Sequence, residues 1–181
     1  MSRCPALLRI LLGFLPMVLV AGDLSARAKH IDARNASEPA GGAYYLVFSA
    51  NPGAVGHAFV AWARENNDRL MSESNAFGLY PQNRKTAAFG TVPGEIVAEV
   101  SKGNFGQNAH NLVVRVTRFQ YEQAERIRNQ WARQREYDLL DRDCVTFLTA
   151  VADSVPLQTP SRNVGTLRPA PFVLKLMELN N

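Results

Sequence analysis

Hydrophobic and polar positions change rhythm twice along this chain. Residues 10–22 form an apolar run broken only by Pro16. From residue 44 onward the pattern shortens into strand-like stretches. Residues 44–49 (YYLVFS) are rich in aromatic and β-branched side chains, and Asn51-Pro52-Gly53 marks a turn. Residues 57–62 alternate, which puts His57, Phe59 and Ala61 on one side and Val60 and Trp62 on the other. A polar connection at 65–68 leads into an expected third strand over 69–75. Residues 77–90, with Gly78, Pro81 and Gly90, read as loop. Two more strands are expected over 95–100 and 112–116, and the run Gln107-Asn108-Ala109-His110-Asn111 before the second reads as turn.

At Thr117 the period becomes helical. Thr117 and Gln120 fit a capping box, and Tyr121, Ala124, Ile127 and Trp131 recur on one face of a helix over 117–136. Arg126, Arg128, Arg133 and Arg135 are expected to form its solvated face. A second helix should run from about 143 to 154, its apolar stripe carried by Val145, Leu148, Val151, Ala152 and Val155, with Pro156 stopping it. A third is expected over 169–179, with Phe172, Leu176 and Leu179 inward. The expected class is α+β, an antiparallel sheet packed against helices.

The N-terminal apolar run follows Arg3 and Arg9 and precedes small residues at Val20-Ala21-Gly22 and Ala26-Arg27-Ala28. This is the layout of a signal peptide over 1–28, and the run is too short to span a bilayer comfortably. A periplasmic or secreted location follows, with no stable transmembrane segment after processing. Residues 29–43 then read as a disordered lead-in, and 44–181 as a single domain. Without residues 1–28 the formal charge drops from +4 to +2, far from the basic excess of a nucleic-acid binder, so nucleic acid is not expected as a partner.

The same removal takes away Cys4 and leaves Cys144 as the only thiol. No intramolecular disulfide is then possible, and an unpaired thiol in an oxidising compartment is either buried or used. Cys144 falls in the first turn of its expected helix, with Asp143 or Asp141 as candidate cap. Helix-start amides favour a thiolate and suit an oxyanion, whereas the neighbouring carboxylates oppose a thiolate. A histidine partner is needed. His57 at a strand start is the better candidate and His110 the other, while His30 lies in the lead-in. Neither a zinc-site spacing nor a phosphate-cradling glycine loop is present, so no metal or cofactor is expected.

Gly56-His57-Ala58-Phe59-Val60-Ala61-Trp62, followed by Tyr137-Asp138-Leu139-Leu140-Asp141-Arg142-Asp143-Cys144-Val145-Thr146-Phe147, resembles the circularly permuted papain-like hydrolases. These belong to the NlpC/P60-type superfamily and include lecithin:retinol acyltransferase-like members. The resemblance covers residues 44–157, with Asp143 standing where asparagine is usual. It implies a permuted papain-like architecture, with Cys144 as nucleophile and His57 as base. A third polar residue would lie on the strand after the histidine, Glu73 first, then Ser72 or Ser74. The implied function is an exported thiol hydrolase cleaving an amide through an acyl-enzyme, with peptidoglycan peptides as the substrate in a bacterial envelope. The alternatives are a lipid acyl hydrolase or acyltransferase using the same pair, and a non-catalytic envelope protein that keeps the fold. The expected partner is accordingly a cell-wall peptide or an acyl substrate.

Overall fold

The computed structural model describes residues 28–34, 43–65, 75–99 and 109–181. In chain order the elements are β1 (Ala28–Asp32), β2 (Tyr44–Asn51), β3 (His57–Arg64), β4 (Ala76–Pro81), β5 (Val92–Ala98), β6 (His110–Val116), α1 (Arg118–Gln134), β7 (Glu136–Tyr137), α2 (Cys144–Ala152) and α3 (Pro169–Leu179). The seven strands pair in the order β1-β6-β2-β3-β4-β5-β7. The α+β class holds, but the sheet is mixed and not purely antiparallel, because β1 runs parallel to β6.

The two-residue period of the central strands divides the sheet into two faces. Leu46, Phe48 and Ala50 of β2, Ala58, Val60 and Trp62 of β3, and Leu112, Val114 and Val116 of β6 join one buried cluster. Tyr121 and Ala124 of α1, Val145, Phe147, Leu148 and Val151 of α2, and Phe172, Val173 and Leu176 of α3 complete it. The helices therefore share one face. Val47, Phe59, Ala61 and Ala76 make a smaller buried cluster on the opposite side.

Several local expectations hold. The Thr117 hydroxyl accepts from the Gln120 amide at 3.2 Å, and the Gln120 side chain accepts from the Thr117 amide at 2.8 Å, closing the capping box. The last helix spans the expected residues. The arginine face is only partly solvated: Arg128 lies 5.2 Å from the Trp62 ring and 4.7 Å from the Phe77 ring, covering an edge of the core.

Other expectations need correction. The lead-in contains β1, an edge strand whose polar Lys29 and His30 hid it from a reading based on apolar runs. Of the stretch 77–90 expected as loop, residues 77–81 belong to β4, Gly78 and Pro81 having acted as false breakers, while 82–90 is irregular apart from a single 3-10 turn at Ala87–Phe89. His110 and Asn111 open β6 and do not lie in a turn. The first helix ends at Gln134, and the next two residues form β7 against β5. The expected strand over 69–75 falls almost entirely outside the described residues.

Candidate functional site

Cys144 is the first residue of α2, and Asp143 is its cap. One Asp143 carboxylate oxygen, Oδ1, accepts from the amides of Val145 at 3.0 Å and Thr146 at 2.9 Å. The Thr146 hydroxyl in turn accepts from the Asp143 amide at 2.7 Å. The same carboxylate is held by Arg162, whose Nη1 reaches Oδ1 at 3.0 Å and whose Nη2 pairs with Oδ2. Arg162 also donates to the Leu139 carbonyl at 3.1 Å, tying the turn before α2 to the segment after it. Two amides expected to serve as oxyanion donors are thus already taken by Asp143.

The Cys144 sulfur lies within the helix-side core, and the residue is only 8 % exposed. The backbone amides of Ala58 and of Cys144 itself favour its thiolate. Burial, with the Asp143 carboxylate second, pushes the thiol up to about 12, against the pull of those amides and of Arg162. The resting thiol is neutral.

His57 opens β3, immediately before Ala58. Its ring lies on the face of Phe59, with ring centroids 6.1 Å apart, and packs against Tyr80 at 4.1 Å. Its Nε2 meets Oε1 of Glu99 at 3.0 Å, and the Tyr80 hydroxyl donates to Oε2 at 2.9 Å. Glu99 is fully buried. Ring and carboxylate come together over Gly78, where a Cβ would stand 2.3 Å from Nε2 and 2.4 Å from Oε1. The close approach needs the missing side chain. In the neutral ring, the tautomer that donates from Nε2 to the carboxylate leaves Nδ1 its lone pair.

The two halves converge on the first two residues of β3. Cys144 shares the helix-side cluster with Ala58, and the His57 ring, one residue earlier on the strand, is turned toward the other face with Phe59. Among the described residues no hydrogen bond joins the ring to the thiol. His110, the alternative histidine, is buried on β6.

The third polar partner named from the sequence, Glu73, lies outside the described residues, as do Ser72 and Ser74. The carboxylate that engages His57 is Glu99, just past β5. Sequence reading missed Glu99, Tyr80 and Arg162. The available signals were a lone acid in the apolar 96–100 stretch and a lone arginine before a polar loop, both too common to single out. A groove of about 960 Å³ runs between residues 158–166 and α3, lined among others by Thr159, Ser161, Thr166, Leu174 and Lys175. It contains none of His57, Glu99, Tyr80 or Cys144, so the volume and the candidate chemistry lie apart.

No protein-family model, curated protein or solved structure matches this chain. Among the described residues no group of histidine, cysteine and carboxylate side chains is arranged to hold a metal, and no helix is long and apolar enough to cross a membrane.

Proposed function

We propose that the protein is an exported thiol hydrolase that cleaves an amide, a peptidoglycan peptide bond being the substrate most consistent with the sequence resemblance. Cys144 is the nucleophile, His57 the base and Glu99 the residue that orients the imidazole. The observation that carries this reading is the His57–Glu99 contact at 3.0 Å on β3, whose next residue, Ala58, shares a buried cluster with the helix-start Cys144. A carboxylate on Nε2 fixes the tautomer and leaves Nδ1 to take a proton.

This mechanism requires Nδ1 and the sulfur, which lie on opposite sides of β3, to be brought together at the start of that strand when substrate enters. Nδ1 takes the thiol proton as sulfur attacks the carbonyl carbon, and the oxyanion is met by the amides of Cys144 and Ala58. The imidazolium then protonates the leaving amine, and water releases the acyl group with His57 again as base.

The neutral thiol sets the sequence of events. With the thiol pushed up to about 12, it stays protonated at neutral pH, so the proton must move during attack. That same observation favours a second reading, a non-catalytic envelope protein whose Cys144 only fills the core.

Incubation of the full chain with short cell-wall peptides, simple peptide amides and long-chain acyl esters, followed by intact-mass measurement, separates the readings. The hydrolase is expected to give an acyl adduct on Cys144 and turnover that Cys144→Ser and His57→Ala remove without altering the circular dichroism spectrum. Adducts from the acyl esters alone would move the assignment to a lipid acyl hydrolase. Absence of both adduct and turnover would support the binding protein, and turnover unchanged in Cys144→Ser would remove Cys144 as the nucleophile.

A further inference from the structure

The capping of α2 creates an electrostatic conflict. Asp143 is the cap that satisfies the amides of Val145 and Thr146, yet its carboxylate adjoins the thiol and disfavours ionisation of Cys144. A neutral asparagine would cap nearly as well without that charge. The chain instead brings in Arg162 from a segment 19 residues further on. Both guanidinium Nη atoms engage the Asp143 carboxylate, and the side chains are only 18 % and 7 % exposed, so water does little to screen the pair.

We propose that Arg162 is a positioning residue for Cys144: its paired guanidinium turns the Asp143 carboxylate from a bare negative charge into a neutral pair, so that the cap α2 needs does not silence the nucleophile. The proposal rests on the thiol-hydrolase reading for its purpose, but not for its test. The charged and titratable groups that act on the sulfur are Asp143 and Arg162, with Tyr137 coupled to Cys144 from β7. Arg162 is the cation among them. It acts chiefly through Asp143, since its hydrogen bonds go to that carboxylate and to the Leu139 carbonyl, while its own charge adds a smaller direct pull on the thiol.

A purely mechanical role for Arg162, tethering its segment to the turn at Leu139, is the competing explanation. The two differ in what neutralising Asp143 does. The experiment is iodoacetamide alkylation of the full chain across pH 7–11, read by intact mass and paired with thermal melts, for wild type, Arg162→Gln, Arg162→Lys, Asp143→Asn and the Arg162→Gln/Asp143→Asn double variant.

Arg162→Gln should slow alkylation roughly tenfold below pH 9 and move the profile up by about one unit. The double variant should return to within about twofold of wild type, because the asparagine retains the cap and the unpaired charge is gone. Arg162→Lys should keep the wild-type profile while lowering the melting temperature, since it preserves the charge but not the two-pronged contact. An Arg162→Gln profile equal to wild type would overturn the proposal. So would a double variant as slow as Arg162→Gln, or a lysine variant that behaves like the glutamine one, since each makes the arginine a tether only. The expected profiles in a protein without acyl turnover would leave the proposal standing and remove only the hydrolase reading.

Discussion

Replacing Gly78 by alanine is the most direct test of the His57–Glu99 arrangement. The added methyl would stand 2.3 Å from His57 Nε2 and 2.4 Å from Glu99 Oε1, about 1 Å inside ordinary contact. The demand is steric. Relief requires the ring and the carboxylate to part, which breaks their 3.0 Å contact and leaves a fully buried Glu99 with Tyr80 as its remaining side-chain partner. Overpacking a tight site costs about 1–3 kcal/mol, and a buried polar group left short of a partner costs about 1–3 more. For a chain of this size that is a fall of roughly 10 °C in melting temperature. Thermal and urea denaturation followed by circular dichroism reads it directly. Gly165→Ala is the control, since its Cβ meets only the Asn163 side chain at 3.3 Å and should change little. Adding His57→Ala to Gly78→Ala should recover part of the loss by making room. A Gly78→Ala protein melting within about 2 °C of wild type would show that ring and carboxylate do not meet over this residue.

Further expectations follow from the same network and from the caps. Glu99→Ala removes an acceptor of the Tyr80 hydroxyl and the partner of His57 Nε2 and should destabilise by about 1–3 kcal/mol in urea titrations, with Glu99→Gln, which keeps an acceptor for Tyr80, losing clearly less. Thr117→Ala opens the α1 capping box and should cost about 1 kcal/mol by the same measurement. The raised Cys144 thiol makes stability depend on alkaline pH. Between the ordinary thiol range near 9 and about 12 the unfolded chain has released this proton while the folded chain keeps it, so the contribution is complete below pH 9 and is lost as pH rises toward 12. From pH 9 to pH 10.5, wild type should therefore lose about 1–2 kcal/mol more than Cys144→Ala. Tyr137, also pushed up by burial, is present in both proteins and largely cancels from that difference.

What the sequence made legible was local. The capping box at Thr117 and the third helix stand where expected, and of the two candidate caps for α2 the structure uses Asp143; each is specified by residues close together in sequence. The alternation in β3 likewise divided His57 and Phe59 from Val60 and Trp62. The misreadings were non-local. Gly78 looked like a loop residue because its use, a close approach by two side chains from other segments, appears only once β3, β4 and the end of β5 are set side by side. Glu99 escaped for the same reason: its link to His57 spans 42 positions and depends on the register of three strands. Arg162 was invisible because one arginine in a polar segment carries no sign of the carboxylate it will meet.

The parallel pairing of β1 with β6 has a consequence for the order in which the molecule assembles. β2 and β3 are joined by a short turn and can zip from it, whereas Ala28 finds Asn111 only by closing a loop of about 80 residues. β1 gains little by seating itself before β6 and β2 are paired, because β6 is its one strand neighbour among the described residues. The edge should therefore be the last part of the sheet to form and the first to open, its amides exchanging with solvent while those of the β2–β3 ladder stay protected. A chain whose N-terminal end is still engaged elsewhere can in this way complete its core and both halves of its candidate site, and add the final strand on release.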